Sequence, residues 1–179
     1  MTRVPVLGVG VDSIERAELV PRVLDMVDVE RRSTVTYLNV HVSNLAQRDE
    51  ALRRFLNASD LCYCDGNGIV HGARILGHRL PERMTGADWI WDLAAAAEAR
   101  LRLYWIGGEE GATEEAARKL VARYPRLDIR TDHGFHPRSG RENDACIERI
   151  NRASPHIVLV GMGSPTQERW VAERREEVR

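Results

Sequence analysis

Four places along the chain put a polar or charged side chain at the end of an apolar run, and each suggests its own chemistry. Leu61-Cys62-Tyr63-Cys64 runs into Asp65-Gly66-Asn67-Gly68, so a carboxylate leaves an apolar segment where glycines let backbone pass close to a partner. A carboxyl partly withdrawn from water there has its pKa raised from about 3.9 and can accept a proton from a hydroxyl. A plain Asp-Gly turn accounts for the same residues. Tyr37-Leu38-Asn39 closes a second apolar run. Its amide can meet a ligand with donors and an acceptor, or can start a turn and satisfy its own backbone.

The third place is Arg83-Met84-Thr85-Gly86-Ala87-Asp88. Thr85 and Asp88 have the spacing of a helix capping box, with Asp in place of Glu or Gln. That leaves Arg83 just before a helix N-terminus, where phosphate oxygens are favoured, with a solvated arginine as the alternative. The fourth is Val160-Gly161-Met162-Gly163-Ser164-Pro165-Thr166-Gln167-Glu168. Gly161 and Gly163 make a turn, Ser164 caps a helix, Pro165 suits its first position, and Gln167 completes a second capping box from the third position. Capping is one account of these residues. A glycine turn whose backbone amides receive a nucleotide is the other.

Gly107-Gly108-Glu109-Glu110-Gly111 also joins a strand to a helix, but its acids would repel a phosphate and no P-loop lysine is present. His133-Gly134-Phe135-His136 offers two imidazoles without a third ligand, and no Asp-x-Asp closes a strand, so no metal is expected. Gly8-Val9-Gly10-Val11-Asp12 lacks the third glycine of a dinucleotide fingerprint, which counts against a nucleotide-dependent oxidoreductase.

The elements that must position these residues alternate. Val6 to Val11, Val35 to Leu38, Leu61 to Cys64, Leu103 to Ile106, Leu127 to Ile129 and Ile157 to Val160 read as strands. Ile14 to Val27, Leu45 to Leu56, Trp89 to Ala99, Glu114 to Tyr124, Cys146 to Ala153 and the charged Glu168 to Val178 show helical spacing. This alternation predicts an α/β fold: a mostly parallel open sheet with helices on both faces, Rossmann-like, with ligands at the carboxyl ends of the strands. The 179 residues fit a single domain, 1–179. A net charge of −1 gives no overall attraction to nucleic acid, and arginine pairs such as Arg31-Arg32 and Arg53-Arg54 are offset by nearby acids. Cys62, Cys64 and Cys146 form neither a disulfide framework nor a zinc site, which suits a reducing, cytoplasmic compartment. The sequence leaves a homo-oligomer open.

In order and with compatible gaps, these segments resemble the WecG/TagA/CpsF family, glycosyltransferase family 26. The resemblance runs from about Val6 to the last residue. It is carried by Asp65-Gly66-x-Gly68, Arg83-x-x-Gly86-x-Asp88, Ile106-Gly107-Gly108, His133-Gly134-Phe135 and Gly161-x-Gly163-x-Pro165-x-Gln167-Glu168. It implies an inverting, metal-independent transfer of a sugar, of the N-acetylmannosamine type or a related hexose, from a UDP-sugar. The acceptor would be a polyprenyl-diphosphate-linked sugar at the inner membrane face, in teichoic acid or cell-surface polysaccharide synthesis. No cofactor is implied beyond the UDP-sugar donor.

By the same carry-over Asp65 is the general base, and Asn39, Arg83 and Gln167 line the pocket with Gly66, Gly68, Gly161 and Gly163. The family often has Thr where this chain has Tyr37, so Tyr37 is expected to reshape the donor or acceptor pocket. It often has Pro where this chain has Cys64. Its members usually continue past the last charged helix into an arginine-bearing segment that contacts the membrane peripherally, so the expectation is a catalytic domain without that segment. A non-catalytic sugar-nucleotide-binding module is the alternative.

Overall fold

A computed structural model describes residues 2–29, 31–134 and 139–179. Phe135 and His136, and with them part of the His133-Gly134-Phe135 motif and of the two-histidine pattern, lie outside the described residues. The chain divides into two compact units, Met1–Asp92 and Leu93–Arg179.

The first unit contains β1 (Arg3–Val6), β2 (Val9–Asp12), α1 (Arg16–Asp28), β3 (Val35–Leu38), α2 (Val40–Ala46), α3 (Glu50–Ala58), β4 (Leu61–Cys64) and α4 (Asn67–Ile75). The stretch Val6 to Val11, expected as one strand, is instead the middle of an antiparallel hairpin that pairs Val6 with Val9 and Arg3 with Asp12. The two turn residues are Leu7 at φ 48° and Gly8 at φ 83°. Positive φ at both central positions gives the turn whose twist matches the flanking strands. Leucine is a poor occupant of that region, and neighbouring side chains hold the turn in place. Gln47 Nε2 donates to the Leu7 carbonyl at 2.6 Å, and Asn57 Nδ2 donates to that of Gly8 at 2.9 Å. Gly8 and Gly10 therefore sit in a hairpin, not at the strand-to-helix turn that a dinucleotide fingerprint requires.

β3 and β4 pair in parallel, with Val35 opposite Leu61 and Leu38 opposite Cys64. All four residues of β4 are buried, as a strand covered on both faces should be. Leu45 to Leu56, expected as one helix, is two. Asn39 caps α2, and Asp49 caps α3 by accepting from the Leu52 amide at 2.9 Å. The unexpected helix is α4, whose glycines Gly68 and Gly72 depress helix propensity and hid it from the sequence pattern. The apolar core gathers Val4, Val6, Val9 and Val11 from the hairpin with Leu38, Val42, Leu52, Leu56, Cys62, Cys64 and Ile69.

Asp12 is a buried carboxylate in this core, 2% exposed. Arg3 Nε donates to both its oxygens at 3.1 and 3.2 Å, and the Cys62 amide donates to Oδ2 at 2.8 Å. The same guanidinium donates to the carbonyls of Asn57 at 2.8 Å and Ser59 at 2.6 Å. One ion pair thus ties the hairpin to the end of α3 and to the start of β4.

The helix α5 (Gly86–Ala97) contains the division between the units. The second unit then holds β5 (Arg102–Gly107), α6 (Ala112–Arg123), β6 (Asp128–Asp132), α7 (Arg141–Ala153), β7 (Ile157–Gly161) and α8 (Thr166–Arg174). Its strands form a parallel sheet in the order β6-β5-β7. Tyr104, Ile106, Cys146, Ile147, Ile150 and Trp170 make its core. Together with the β3–β4 pair this establishes an open, mostly parallel α/β architecture. No helix among the described residues is long and apolar enough to cross a membrane. The three cysteines are free thiols, all buried, and burial pushes Cys62 up to about 12, Cys64 to about 11 and Cys146 to about 12.

The Arg3–Asp12 pair yields a direct test. Arg3→Met keeps the apolar stem but leaves the buried carboxylate without its cation, and should cost about 3 kcal/mol of unfolding free energy in urea titration.

Candidate active site

The parallel register of β3 and β4 decides where the site's first two residues emerge. Leu38 and Cys64 are opposite one another, and the ladder continues one step through the Asp65 amide to the Leu38 carbonyl at 2.9 Å. The next residues on each strand, Asn39 and Asp65, consequently leave the sheet side by side. Asn39 does two jobs at once. Its Oδ1 accepts from the Val42 amide at 2.9 Å to cap α2, and its Nδ2 donates to Asp65 Oδ2 at 3.0 Å. Using the oxygen for the cap forces the amide nitrogen toward the carboxylate.

Asp65 is half-buried, and burial raises its carboxyl above the ordinary carboxylate range. The hydrogen bond from Asn39 and the positive charge of Arg83 oppose that rise, while Asp88 adds to it. Beneath the two polar residues, on the same faces of their strands, lie Tyr37 and Tyr63, with ring centroids 5.9 Å apart. Trp89 meets Tyr63 edge-on at 6.0 Å. Tyr37 is therefore part of an aromatic floor below the carboxylate.

Gly66 and Gly68 each have a conformational reason to be glycine. Gly66 starts α4 with φ 93°, in the region L side chains avoid, and any Cβ at Gly68 would collide with Val40 Cγ2 of α2. Close approach of Val40 in α2 to α4 behind the Asp65 turn is what Gly68 permits.

Arg83 reaches the same strand end because the Met84 amide donates to the Cys64 carbonyl at 2.8 Å. It is not left over by the capping box as the sequence suggested. Asp88 Oδ2 accepts from the Thr85 amide at 3.2 Å, as a box requires, and also faces Arg83 Nη1 at 3.5 Å. The acid at the third helical position can reach both the cap amide and the guanidinium, so one carboxylate serves both. The pair is partly exposed, and such pairs are weak enough to be exchanged for a stronger anion.

The second unit carries the remaining predicted residues. Gly107, Gly134 and Gly161 touch at the carboxyl edge of its sheet. A Cβ at Gly134 would lie 2.7 Å from Gly107 Cα, and one at Gly107 would strike the Gly161 backbone. Gly161 ends β7, and Gly163 turns the chain with φ 78°. The cap of α8 differs from expectation. Pro165 is the capping position and makes no side-chain cap, so Gln167 stands second in the helix and the predicted Ser164–Gln167 box does not form. Both side chains turn instead to Glu168, whose Oε1 accepts from Ser164 Oγ at 2.7 Å and from Gln167 Nε2 at 3.0 Å.

Glu168 closes the last motif but was given no role by the sequence, and neither was the cluster at the end of β6. There Asp132 accepts from Arg149 Nε at 2.8 Å and Nη2 at 2.6 Å, and from the Tyr104 hydroxyl at 3.3 Å. Asp132 is an acid at the carboxyl end of a strand, β6, as Asp65 is just after β4, and that position is the signal that could have found it. Among the described residues no group of three His, Cys, Asp or Glu side chains could hold a metal ion.

Parallel strands joined through helices in each unit define an open, mostly parallel α/β protein of the Rossmann-like class. The particular family follows from comparison. Residues 4–179 match the Glycosyl transferase WecG/TagA/CpsF family, and the chain belongs to it. Similar relatives are the proteins named N-acetylglucosaminyldiphosphoundecaprenol N-acetyl-beta-D-mannosaminyltransferase in Staphylococcus aureus strains NCTC 8325 / PS 47, COL and MRSA252. Each is 24% identical over 172 residues. These matches cover 94% of this chain and 66% of each relative.

The raised Asp65 carboxyl has a sign that can be checked. Folding disfavours its ionised form, so its contribution to stability is greatest below the unfolded pKa and is lost as pH rises through the folded one. Asp65→Asn, which keeps an acceptor for Asn39, should therefore melt higher than wild type near pH 7, with the gap closing in acid.

Proposed function

We propose that this chain is the catalytic part of an inverting, metal-independent glycosyltransferase. It would move a sugar of the N-acetylmannosamine type or a related hexose from a UDP-sugar to a polyprenyl-diphosphate-linked sugar. The names of the Staphylococcus aureus relatives support the acceptor class and the sugar. The observation that carries the reading is the Asn39–Asp65 pair: a half-buried carboxylate held by one amide at the carboxyl ends of two parallel strands, its pKa raised by burial.

In this reaction the acceptor hydroxyl attacks the anomeric carbon from the face opposite the departing UDP. The new C–O bond forms as the bond to the β-phosphate oxygen breaks. The hydroxyl proton passes to Asp65, and UDP leaves with the bonding electron pair. A base whose pKa is raised toward the working pH holds the proton better in the transition state. Asn39 steadies the carboxylate in one rotamer and stabilises its ionised form, so that it is ready to accept. Arg83 would exchange its weak contact with Asp88 for the diphosphate, where charge develops as the bond breaks. Tyr37, half-buried against Tyr63, would offer a sugar ring an apolar face. Lipid on the acceptor would bring the reaction to a membrane surface.

UDP release with a short-chain lipid-diphosphate sugar acceptor tests the assignment. Asp65→Asn should retain UDP affinity and lose about 10²–10⁴-fold in kcat. Wild-type transfer should persist in EDTA, and the product should carry the opposite anomeric configuration. Turnover of Asp65→Asn near that of wild type would remove the base, and UDP binding without any turnover would leave a sugar-nucleotide-binding module. In the wild type the acid limb of kcat/KM should lie above the ordinary carboxylate range, and Asn39→Ala should move it higher, because the hydrogen bond that opposes the rise is gone.

A further inference from the structure

Glu168 is the least expected side chain in the second unit. It stands third in α8 and is 5% exposed, although glutamate is among the residues least often buried. One of its oxygens, Oε1, accepts both Ser164 Oγ and Gln167 Nε2. The other, Oε2, is buried with no hydrogen-bond partner among the described residues. A carboxylate in that condition is costly to the fold, and the helix N-terminus offsets only part of the cost. Stability does not explain why it is there.

Its contact with Gln167 is equally unusual. Residues i and i+1 of a helix project about 100° apart and ordinarily do not face one another. Here both side chains turn back to meet at 3.0 Å. An ionised carboxylate accepts hydrogen bonds and donates none. Whatever faces Glu168 must therefore be the nitrogen of the Gln167 amide, and the amide oxygen is turned from it. Ser164 Oγ, bonded to the same Oε1, holds the carboxylate from the loop side so that it cannot swing with the glutamine.

The geometry points to Glu168 as a positioning residue that locks the polarity of the Gln167 amide, and so sets which edge of that amide the sugar nucleotide meets. This rests on the proposed function and on the place in its pocket that the family resemblance implies for Gln167. The lock distinguishes ligands by hydrogen-bond polarity: with the oxygen edge presented, the site selects a donor group on the ligand, such as a sugar hydroxyl or an amide N–H, over an acceptor.

A polarity swap tests it, with KM and kcat for a UDP-sugar, UDP affinity by calorimetry, and thermal melting read on each variant. Glu168→Gln keeps the shape and removes the buried charge. It should melt no lower than wild type while KM rises about tenfold, since the amide can now flip. Gln167→Glu puts two carboxylates face to face and should weaken binding further near pH 7, with partial recovery in acid. The double variant Gln167→Glu/Glu168→Gln restores the hydrogen bond in the reverse sense. Its melting temperature should recover from that of Gln167→Glu, and KM should fall back toward wild type, because the residue at 167 again turns an oxygen edge outward. A double variant whose melting temperature recovers while KM stays as high as in Gln167→Glu overturns the proposal, because a restored oxygen edge then does not restore recognition. So does a Glu168→Gln variant that keeps the wild-type KM, or one that melts far lower and loses kcat and KM together, which marks a structural residue. Gln167→Ala separates the two levels. If it raises KM and the Glu168 variants do not, only the lock falls; if it leaves KM unchanged, the pocket assignment falls with it.

Discussion

Leu38 faces Cys64 across a parallel ladder, and a shift of one residue in that register would turn Asn39 and Asp65 to opposite faces of the sheet. The pairing is held from both sides. Apolar burial of every residue in β4 penalises a slip, and the Asp12 carboxylate fixes its start by accepting from the Cys62 amide at 2.8 Å. The Asn39–Asp65 hydrogen bond, the tyrosine pair below it and the return of the chain at Met84 all inherit that alignment. The behaviour of the carboxyl group is thus a property of strand register before it is a property of local chemistry.

Much of this could be read from residue order, because burial and alternation leave strong signals. The strands from Val35, Leu61, Leu103 and Ile157 stand where apolar runs put them, and the acid at the end of β4 was visible as a change from apolar to polar-glycine sequence. What escaped was whatever depends on a side chain satisfying distant backbone. The hairpin at Leu7-Gly8 needs Gln47 and Asn57 to hold a leucine in the left-handed region, and nothing near Leu7 announces them. The helix α4 was masked by glycines retained for φ at Gly66 and for the approach to Val40 at Gly68. The cap of α8 looked like a capping box because spacing was right, but Ser164 and Gln167 found a stronger acceptor in a buried carboxylate. Propensity rules describe isolated elements, and they fail where tertiary partners outbid the local ones.

Charge is distributed with the same economy. In the second unit the first turns of α6, α7 and α8 already carry acids: Glu114 and Glu115, Glu142 and Asp144, and Glu168. Their carboxylates complement the positive ends of these helices internally. An anion gains less from termini so occupied than from an arginine held by an exchangeable partner, as Arg83 is by Asp88. The glycine contacts at the edge of the β6-β5-β7 sheet serve another purpose, letting three backbone segments touch where any side chain would separate them.

The three interior thiols carry a practical consequence. Each sits in a strand or helix of a core, with its ionisation suppressed far above neutral pH. Alkylating reagents will find almost no thiolate on the intact molecule, so their rate of reaction becomes a clock for opening. Cys62 and Cys64 would time the loss of the strand that presents the acid, and Cys146 would time the other unit separately.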